Sequence, residues 1–381
     1  MILTVLPLIA CTTKAPPEVA APPEPEPEPV VTMMDASVPT LDGITSAMVK
    51  TSTIRQHVLM SGPDDGVPVV FVHGNVSSAT FWEDTMLGLP EGFRSVAVDL
   101  RGYGDTEAVP VDPARGLSDM AEDVWALVDT LELGSVHLVG HSMGGGVVMK
   151  AMLQRPDALR SVTLVDPVSP YGYGGSKGAE GAMTYPDGAP TGVNPDFVAQ
   201  LTAKAMGDEN PMAPRNVFRA FYVKPPFVPE REDAYVASML STKVGDAFYP
   251  GTQVASESWP GAAPGDQGIL PAFNRKNFDA SGIADLETKP PVLWIRGADD
   301  QIVADAAMFD LANLGKLGAI PGWPGDEVCP PQPMVAQTRA VLETYQTNGG
   351  TYTEVVIEES GHSPFIDQPK AFGEALHAHL Q

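Results

Sequence analysis

The chain has 381 residues, enough for one large core or a core with a second lobe, and its 43% apolar content is that of a globular protein. With 23 Lys+Arg against 48 Asp+Glu the formal net charge is −25, and no basic stripe offsets it, which excludes nucleic acid as a partner. The two cysteines, Cys11 and Cys329, have no CxxC spacing and no nearby histidine, so neither a metal nor another cofactor is expected.

The first predicted element is the apolar run over residues 1–11 (MILTVLPLIAC), too short to span a bilayer as a helix and similar to the h-region of a signal peptide. Its end, Leu8-Ile9-Ala10-Cys11, resembles the lipobox of bacterial lipoproteins, a family in which the cysteine is lipidated and becomes the new N-terminus. The resemblance implies export and a membrane anchor at Cys11, in the periplasm or at the cell surface. Thr12, where an Asp often marks inner-membrane retention, favours the outer membrane. With Cys11 lipidated, Cys329 has no disulfide partner within the chain. Residues 12–45 read as a tether, because the stretch 14–30 (KAPPEVAAPPEPEPEPV) cannot bury apolar surface and stays extended and solvated.

Beyond the tether the chain alternates short buried strands with helices. Strands are predicted over 51–61, 68–72 (PVVFV), 94–98, 135–140 and 161–165. Helices are predicted over 78–89, 118–132 with Ser118 as N-cap, and 143–154. This rhythm implies a mostly parallel sheet covered on both faces. It stops at Asp166-Pro167, and residues 167–289 are rich in Pro, Gly and aromatic residues. A structureless loop of that length is improbable in a compact domain, so the segment reads as an inserted lid with helices near 195–206, 213–222 and 230–241. The alternation then resumes with a strand over 291–296, helices over 304–314 and 332–347, a strand over 352–358 and a last helix over 369–380. The domain plan is therefore a core of 46–166 and 290–381 interrupted by a lid over 167–289. The sequence carries no signal for an oligomeric state.

The chemistry centres on Gly140-His141-Ser142-Met143-Gly144, a G-x-S-x-G motif between a strand and a helix. Such a turn lifts the serine to the tip of strained backbone, and the helix N-terminus aims free N–H groups at a developing oxyanion. Four more stations follow strands in order: His73-Gly74-Asn75, the turn Asp99-Leu100-Arg101-Gly102-Tyr103-Gly104, Gly297-Ala298-Asp299-Asp300, and Gly361-His362-Ser363-Pro364. Together they resemble the α/β-hydrolase superfamily over residues 51–166 and 290–381.

The resemblance implies an α/β-hydrolase fold and a serine hydrolase with the chain order Ser142, Asp300, His362. Ser142 is then the nucleophile, His362 the base that takes and returns its proton, and Asp300 the group that fixes the imidazole tautomer. The backbone N–H of Met143 and that of Asn75, or Val76 one residue on, form the oxyanion hole. Asp300 stands where the family usually places its acid, three residues after the glycine, with Asp299 and Asp166 as alternatives. Of the other histidines, His57 and His137 fall in strands, His377 and His379 in the last helix, His73 braces the oxyanion loop, and His141 points away from its neighbour Ser142. Arg101 and Tyr103 pack their turn. Tyr171, Phe221, Tyr222, Phe227, Phe248 and Trp259 form the lid core, some of them lining an apolar acyl pocket. The expected substrate is a small carboxylic ester with an apolar acyl group. Thioesterase, lactonase, amidase and carbon–carbon bond hydrolase chemistry share this triad, and a non-catalytic binding protein on the same fold is the reading from another class.

Overall fold

The computed structural model describes residues 30–189 and 192–381. The apolar run, Cys11 and most of the tether lie outside the described residues. Nine strands form one sheet: β1 (Val31–Met33), β2 (Thr45–Lys50), β3 (Arg55–Ser61), β4 (Val67–Val72), β5 (Phe93–Val98), β6 (Val136–His141), β7 (Leu159–Val165), β8 (Val292–Gly297) and β9 (Tyr352–Ile357). Their order is β1-β2-β3-β5-β4-β6-β7-β8-β9. From β5 to β9 neighbours run parallel, and β1, β2 and β3 add an antiparallel edge. The architecture is the α/β-hydrolase fold. β4 and β6 are apolar and buried along nearly their whole length, as strands covered on both faces must be.

The tether expected over 12–45 ends early. Val31–Met33 pairs with Ala47–Val49 of β2, an edge strand whose exposed, short sequence gives no alternating pattern to read. Helix α1 (Ser118–Thr130) packs on α2 (Met143–Gln154), and α2 packs on β6 and β7. Ser118 is the first residue of α1 rather than its cap; Leu117 holds the cap position without a side-chain bond. In the lid, α3 (Pro195–Thr202) and α4 (Glu232–Leu240) flank a short helix, Pro214–Val217, that widens into a π-turn over Phe218–Tyr222. The helix expected over 304–314 starts only at Leu311 and runs to Lys316, because the Asp310 carboxylate accepts from the Ala312 N–H and sets the start there. Helices α5 (Met334–Thr347) and α6 (Pro369–Leu380) complete the core.

The order of strands reverses at β4. The chain goes out to β5 on one side and returns to β6 on the other, so the loops after β4 and β6 diverge and leave a crevice at the C-terminal sheet edge. The turn after β5 is locked from below. Asp99 accepts from the Ala79 N–H (2.7 Å), the Asp105 N–H (2.9 Å) and the His57 Nδ1–H (2.7 Å), while His57 Nε2 meets the Ser46 hydroxyl at 2.9 Å. Gly104 sits at φ +52 against this carboxylate, where a Cβ would stand 1.8 Å from Asp99 Oδ2. Arg101 forks onto buried Asp123 at 2.6 and 2.8 Å, so it packs the turn.

Burial by itself would push the His57 imidazole down, but the hydrogen bond and charge of Asp99, with Asp105 beyond, outweigh it and hold the ring above its ordinary value. Asp99 is held below the usual carboxylate value against its own burial, by His57 first and then by His73 and the Ala79 N–H. A histidine raised on folding contributes stability below its unfolded value of about 6.5 and loses it as pH rises through the folded one; a lowered carboxylate contributes above about 3.9 and loses it in acid. The pair therefore stabilises most between roughly pH 4 and 6.5. We expect His57→Gln to cost about 3–5 kcal/mol near pH 5.5, the range for breaking a buried pair, and clearly less at pH 9. Melting curves of both proteins at the two pH values test this, and an equal gap at both would refute the ion-pair account.

Candidate active site

Ser142 lies between the last residue of β6 and the first of α2, at φ 54 and ψ −119. Such backbone is costly for a residue with a Cβ and is kept only where its surroundings fix it. Here the Ser142 N–H donates to Val165 O at 2.9 Å, and its carbonyl accepts from Gly145 N at 2.9 Å and Val168 N at 3.0 Å. The first turn of α2 presses on the end of β4, where a Cβ on Gly144 would stand 2.4 Å from the carbonyl oxygens of both Val72 and His73. The motif glycine is thus a condition of how closely the helix approaches the strand.

His362 sits in the loop after β9 and is 2% exposed. Its Nδ1–H donates to Asp300 Oδ2 at 2.8 Å, which leaves Nε2 as the nitrogen free to act as a base. The other oxygen of Asp300 accepts from the N–H groups of Ile302 (2.7 Å) and Val303 (3.2 Å). Asp299 turns the other way, to Lys224 of the lid at 2.8 Å, a lysine that also meets Glu359 at 2.7 Å. Asp166 directly follows the neighbouring strand β7, with one oxygen close to both Asp300 and His362. Among the described residues these three are the group compact enough to hold a metal ion. The short Nδ1–Oδ2 contact, however, is that of a hydrogen-bonded acid–base pair.

Three supports around His362 were not legible in the sequence. His141 does not simply point away from the site. Its Nε2–H donates to the carbonyl of His362 at 2.7 Å, and the two rings lie 4.7 Å apart. Burial, then the neighbouring His362, pushes His141 well below the ordinary histidine value, so it is a neutral brace. Asp367 accepts from Ser360 Oγ (2.6 Å), Gly361 N (2.7 Å) and the lid's Lys224 N (2.9 Å), pinning the histidine loop and the lid to one carboxylate. The third is Tyr222 of the lid, whose hydroxyl donates to Asn75 O at 3.0 Å while its ring stands edge-on to His362 at 6.1 Å.

The loop after β4 is held from both sides. His73 donates through Nδ1 to Gly74 O (2.7 Å) and accepts at Nε2 from Leu100 N (3.0 Å), a bracing role. The Tyr103 hydroxyl donates to Asn75 Oδ1 at 2.7 Å, so Tyr103 reaches beyond its own turn. Among the described residues no hydrogen bond occupies the backbone N–H of Asn75, Val76 or Met143. His57 and His137 are buried in strands, and His137, bonded to Ser161, is pushed down to about 4 by burial. His379 of α6 bonds the Val162 carbonyl.

Ser142, Met143, Asn75 and His362 line a cavity of about 140 Å³, roofed by Phe221, Tyr222, Phe197 and Tyr249 from the lid and closed by Phe309 and Ile302 from the core. Of the other lid aromatics, Phe227 is exposed and Trp259 donates to Pro321 O. Asn75, Tyr173, Asn194 and Tyr222 bring polar groups to a lining that is otherwise mostly apolar.

A sequence profile of the Alpha/beta hydrolase family matches residues 69–375. The chain belongs to this family. It is an enzyme, a hydrolase of that class, and its relatives bear this out. It is 33% identical to the non-heme chloroperoxidase of Streptomyces lividans over 65% of this chain and 79% of that protein. It is 30% identical to the bifunctional esterase/perhydrolase DCH of Acinetobacter calcoaceticus over 69% of this chain and 86% of that one. Other relatives match over shorter stretches: the carboxylesterase YbfK of Bacillus subtilis is 26% identical over 41% of this chain and 56% of its own length. In fold the hydrolase is similar to an esterase from Exiguobacterium antarcticum, with a TM-score of 0.55, 19% identity, and 87% and 98% of the two chains covered. It is likewise similar to carboxylesterase CesB from Bacillus subtilis, with a TM-score of 0.54, 15% identity, and 88% and 91% covered.

The Tyr222 hydroxyl holds the loop that carries the Asn75 and Val76 N–H groups, so Tyr222→Phe is expected to lower kcat by about 10-fold with KM nearly unchanged, a loss of positioning rather than of binding. Steady-state kinetics on any ester the wild type hydrolyses reads this directly; a change in KM alone would assign Tyr222 to substrate binding instead.

Proposed function

We propose that the protein hydrolyses small carboxylic esters through an acyl-enzyme on Ser142. The observation that carries this reading is one serine, held at positive φ on a helix N-terminus, sharing a cavity with a buried imidazole whose Nδ1 is bonded to a buried carboxylate. His362 Nε2 takes the Ser142 proton as Oγ attacks the ester carbonyl. The N–H groups of Met143 and of Asn75 or Val76 receive the oxyanion. The proton on His362 passes to the leaving alcohol, and water, activated by the same nitrogen, releases the acid. Asp300 keeps the proton of the neutral ring on Nδ1 and stabilises the imidazolium.

The cavity sets the substrate size. At about 140 Å³ it matches an apolar cavity known to admit one benzene ring, which supports a short acyl chain or a single aryl group over a long fatty acyl chain. The likeness to proteins named chloroperoxidase and esterase/perhydrolase favours a second outcome at the same acyl-enzyme, attack by hydrogen peroxide in place of water to give a peracid.

The first experiment is hydrolysis of p-nitrophenyl esters from acetate to palmitate by wild type and Ser142→Ala. Activity concentrated on short chains and lost by at least about 10³-fold in the variant is expected. A preference for palmitate would overturn the size argument, and an active variant the nucleophile. Adding peroxide to the acetate reaction and assaying peracid tests the second outcome.

We also propose that Cys11 carries a lipid anchor and that the catalytic domain stands outside the cytoplasm, with the outer membrane favoured over the inner. Leu8-Ile9-Ala10-Cys11 and the Pro/Glu-rich stretch after it support this. No helix among the described residues is long and apolar enough to cross a membrane. Expression in a bacterial host with labelled palmitate should label wild type and not Cys11→Ser, and unlabelled wild type in the cytosolic fraction would overturn the anchor.

A further inference from the structure

A second acid stands beside the triad, and the ester-hydrolysis mechanism above gives it no part. Asp166 directly follows β7, one strand over from β8 and the loop that carries Asp300. Its backbone lies at φ 40, in the left-handed region, which costs a non-glycine residue about 1–3 kcal/mol and is seldom kept without a reason. The side chain is buried, with Asp166 2% exposed. Oδ1 accepts from Gly297 N at 3.0 Å, no described residue offers a donor to Oδ2, and the hydrogen bond open to this carboxyl is one it donates to Asp300. One Asp166 oxygen lies within 4.8 Å of both an Asp300 oxygen and a His362 nitrogen.

The charged groups facing this carboxyl are Asp300, His362 and, farther off, Asp367. Lys224, the cation of the adjoining lid segment, is engaged by Asp299 and Glu359. Two buried carboxylates so close cannot both ionise cheaply, and one of them keeps a proton. The Asp300 carboxylate is stabilised by three donors, His362 Nδ1, Ile302 N and Val303 N, whereas Asp166 accepts only from Gly297 N, so the negative charge is better held on Asp300. The proton therefore resides on Asp166. Burial first, then the charge of Asp300, pushes Asp166 well above the usual carboxylate range, in agreement with the geometry.

We propose that Asp166 is a protonated reserve acid behind His362, a positioning residue that takes over the Nδ1 contact when Asp300 no longer offers a carboxylate. In the native chain its retained proton keeps one negative charge, rather than two, behind the imidazole. Once the charge of Asp300 is removed, burial alone still favours the proton, and the imidazolium of His362 beside it favours the carboxylate. The proton leaves to solvent, and the Asp166 carboxylate accepts the Nδ1–H of His362.

The inference rests on the Ser142, His362, Asp300 reading. Its test is a double-mutant cycle on p-nitrophenyl acetate with Asp300→Asn, Asp166→Asn and both together, beside wild type and Ser142→Ala, with melting temperatures for each. Asparagine tolerates the left-handed backbone at 166. Asp300→Asn is expected to lower kcat/KM by about 10²-fold, because a displaced acid still serves. The double variant should fall by about 10⁴-fold, the loss seen when a triad has no carboxylate at all. Asp300→Asn should also show an acid limb in its pH profile, from ionisation of Asp166, that the double variant lacks. Equal rates for Asp300→Asn and the double variant would overturn the proposal, as would a 10⁴-fold loss from Asp166→Asn alone. If the Asp166 variants do not fold, fluorophosphonate labelling of Ser142 in Asp300→Asn decides: a rate within about 10²-fold of wild type supports the reserve acid, and a drop of about 10⁴-fold removes it. Full activity in Ser142→Ala would instead sink the triad reading itself, a result distinct from an inactive Ser142→Ala beside equal rates in the two Asp300 variants.

Discussion

The contact on which the rest of the site depends is backbone against backbone: the first turn of α2 seated on the end of β4, with Gly144 facing the carbonyls of Val72 and His73. That approach forces the chain to turn from strand to helix within one residue, and the residue is Ser142. The strain at its φ is stored there because hydrogen bonds to Val165 at the end of β7 and to Val168 in the loop after it leave the turn no other path. The same contact places the N-terminal N–H groups of α2 beside the loop after β4, so the proposed nucleophile and oxyanion donors are set by one packing decision.

Around this point the sheet acts as a jig. Because β4 to β9 run parallel, the loops that follow them emerge at one edge, and residues from positions 75, 142, 166, 300 and 362 meet there. The electrostatics follow from the burial that this edge imposes. Carboxyl and imidazole groups are gathered in a volume with little water, and each takes the state its partners allow: Asp300 as acceptor of three hydrogen bonds, His141 neutral beneath His362, Asp166 protonated beside Asp300. A buried pair on the far side, His57 with Asp99, fixes the turn that carries Tyr103, and through it the Asn75 side chain.

The lid is tied to the site rather than laid over it. Tyr222 bonds the oxyanion loop, the Lys224 backbone shares Asp367 with the histidine loop, and the Lys224 side chain bridges Asp299 and Glu359. The walls that size the cavity, Phe221 and Tyr222 among them, therefore belong to a segment whose position is coupled to the catalytic loops. The cavity wall and the loops of the candidate site share the same few residues.

By itself the sequence determined what depends on local pattern. Buried strands such as PVVFV and SVHLVG, the helix after Ser142 and the turn residues around the G-x-S-x-G motif are written in periodicity and in glycine, so the fold class and the turn at Ser142 could be read from them, while His362 was reached through the resemblance to the α/β-hydrolase superfamily. Sequence could narrow the acid only to Asp299, Asp300 or Asp166. Adjacent residues on a loop point in different directions, and it took tertiary structure to send Asp299 to Lys224 and Asp300 to His362. The edge strand Val31–Met33 and the late start of the helix at Leu311 escaped for a similar reason: one is fixed by a partner strand, the other by a capping carboxylate in an irregular loop. The supports from His141, Asp367 and Tyr222 span separations of 6 to 221 residues and involve side-chain and backbone partners that no periodicity encodes. Local backbone preference wrote the elements, and packing across the sheet edge decided which of their residues meet.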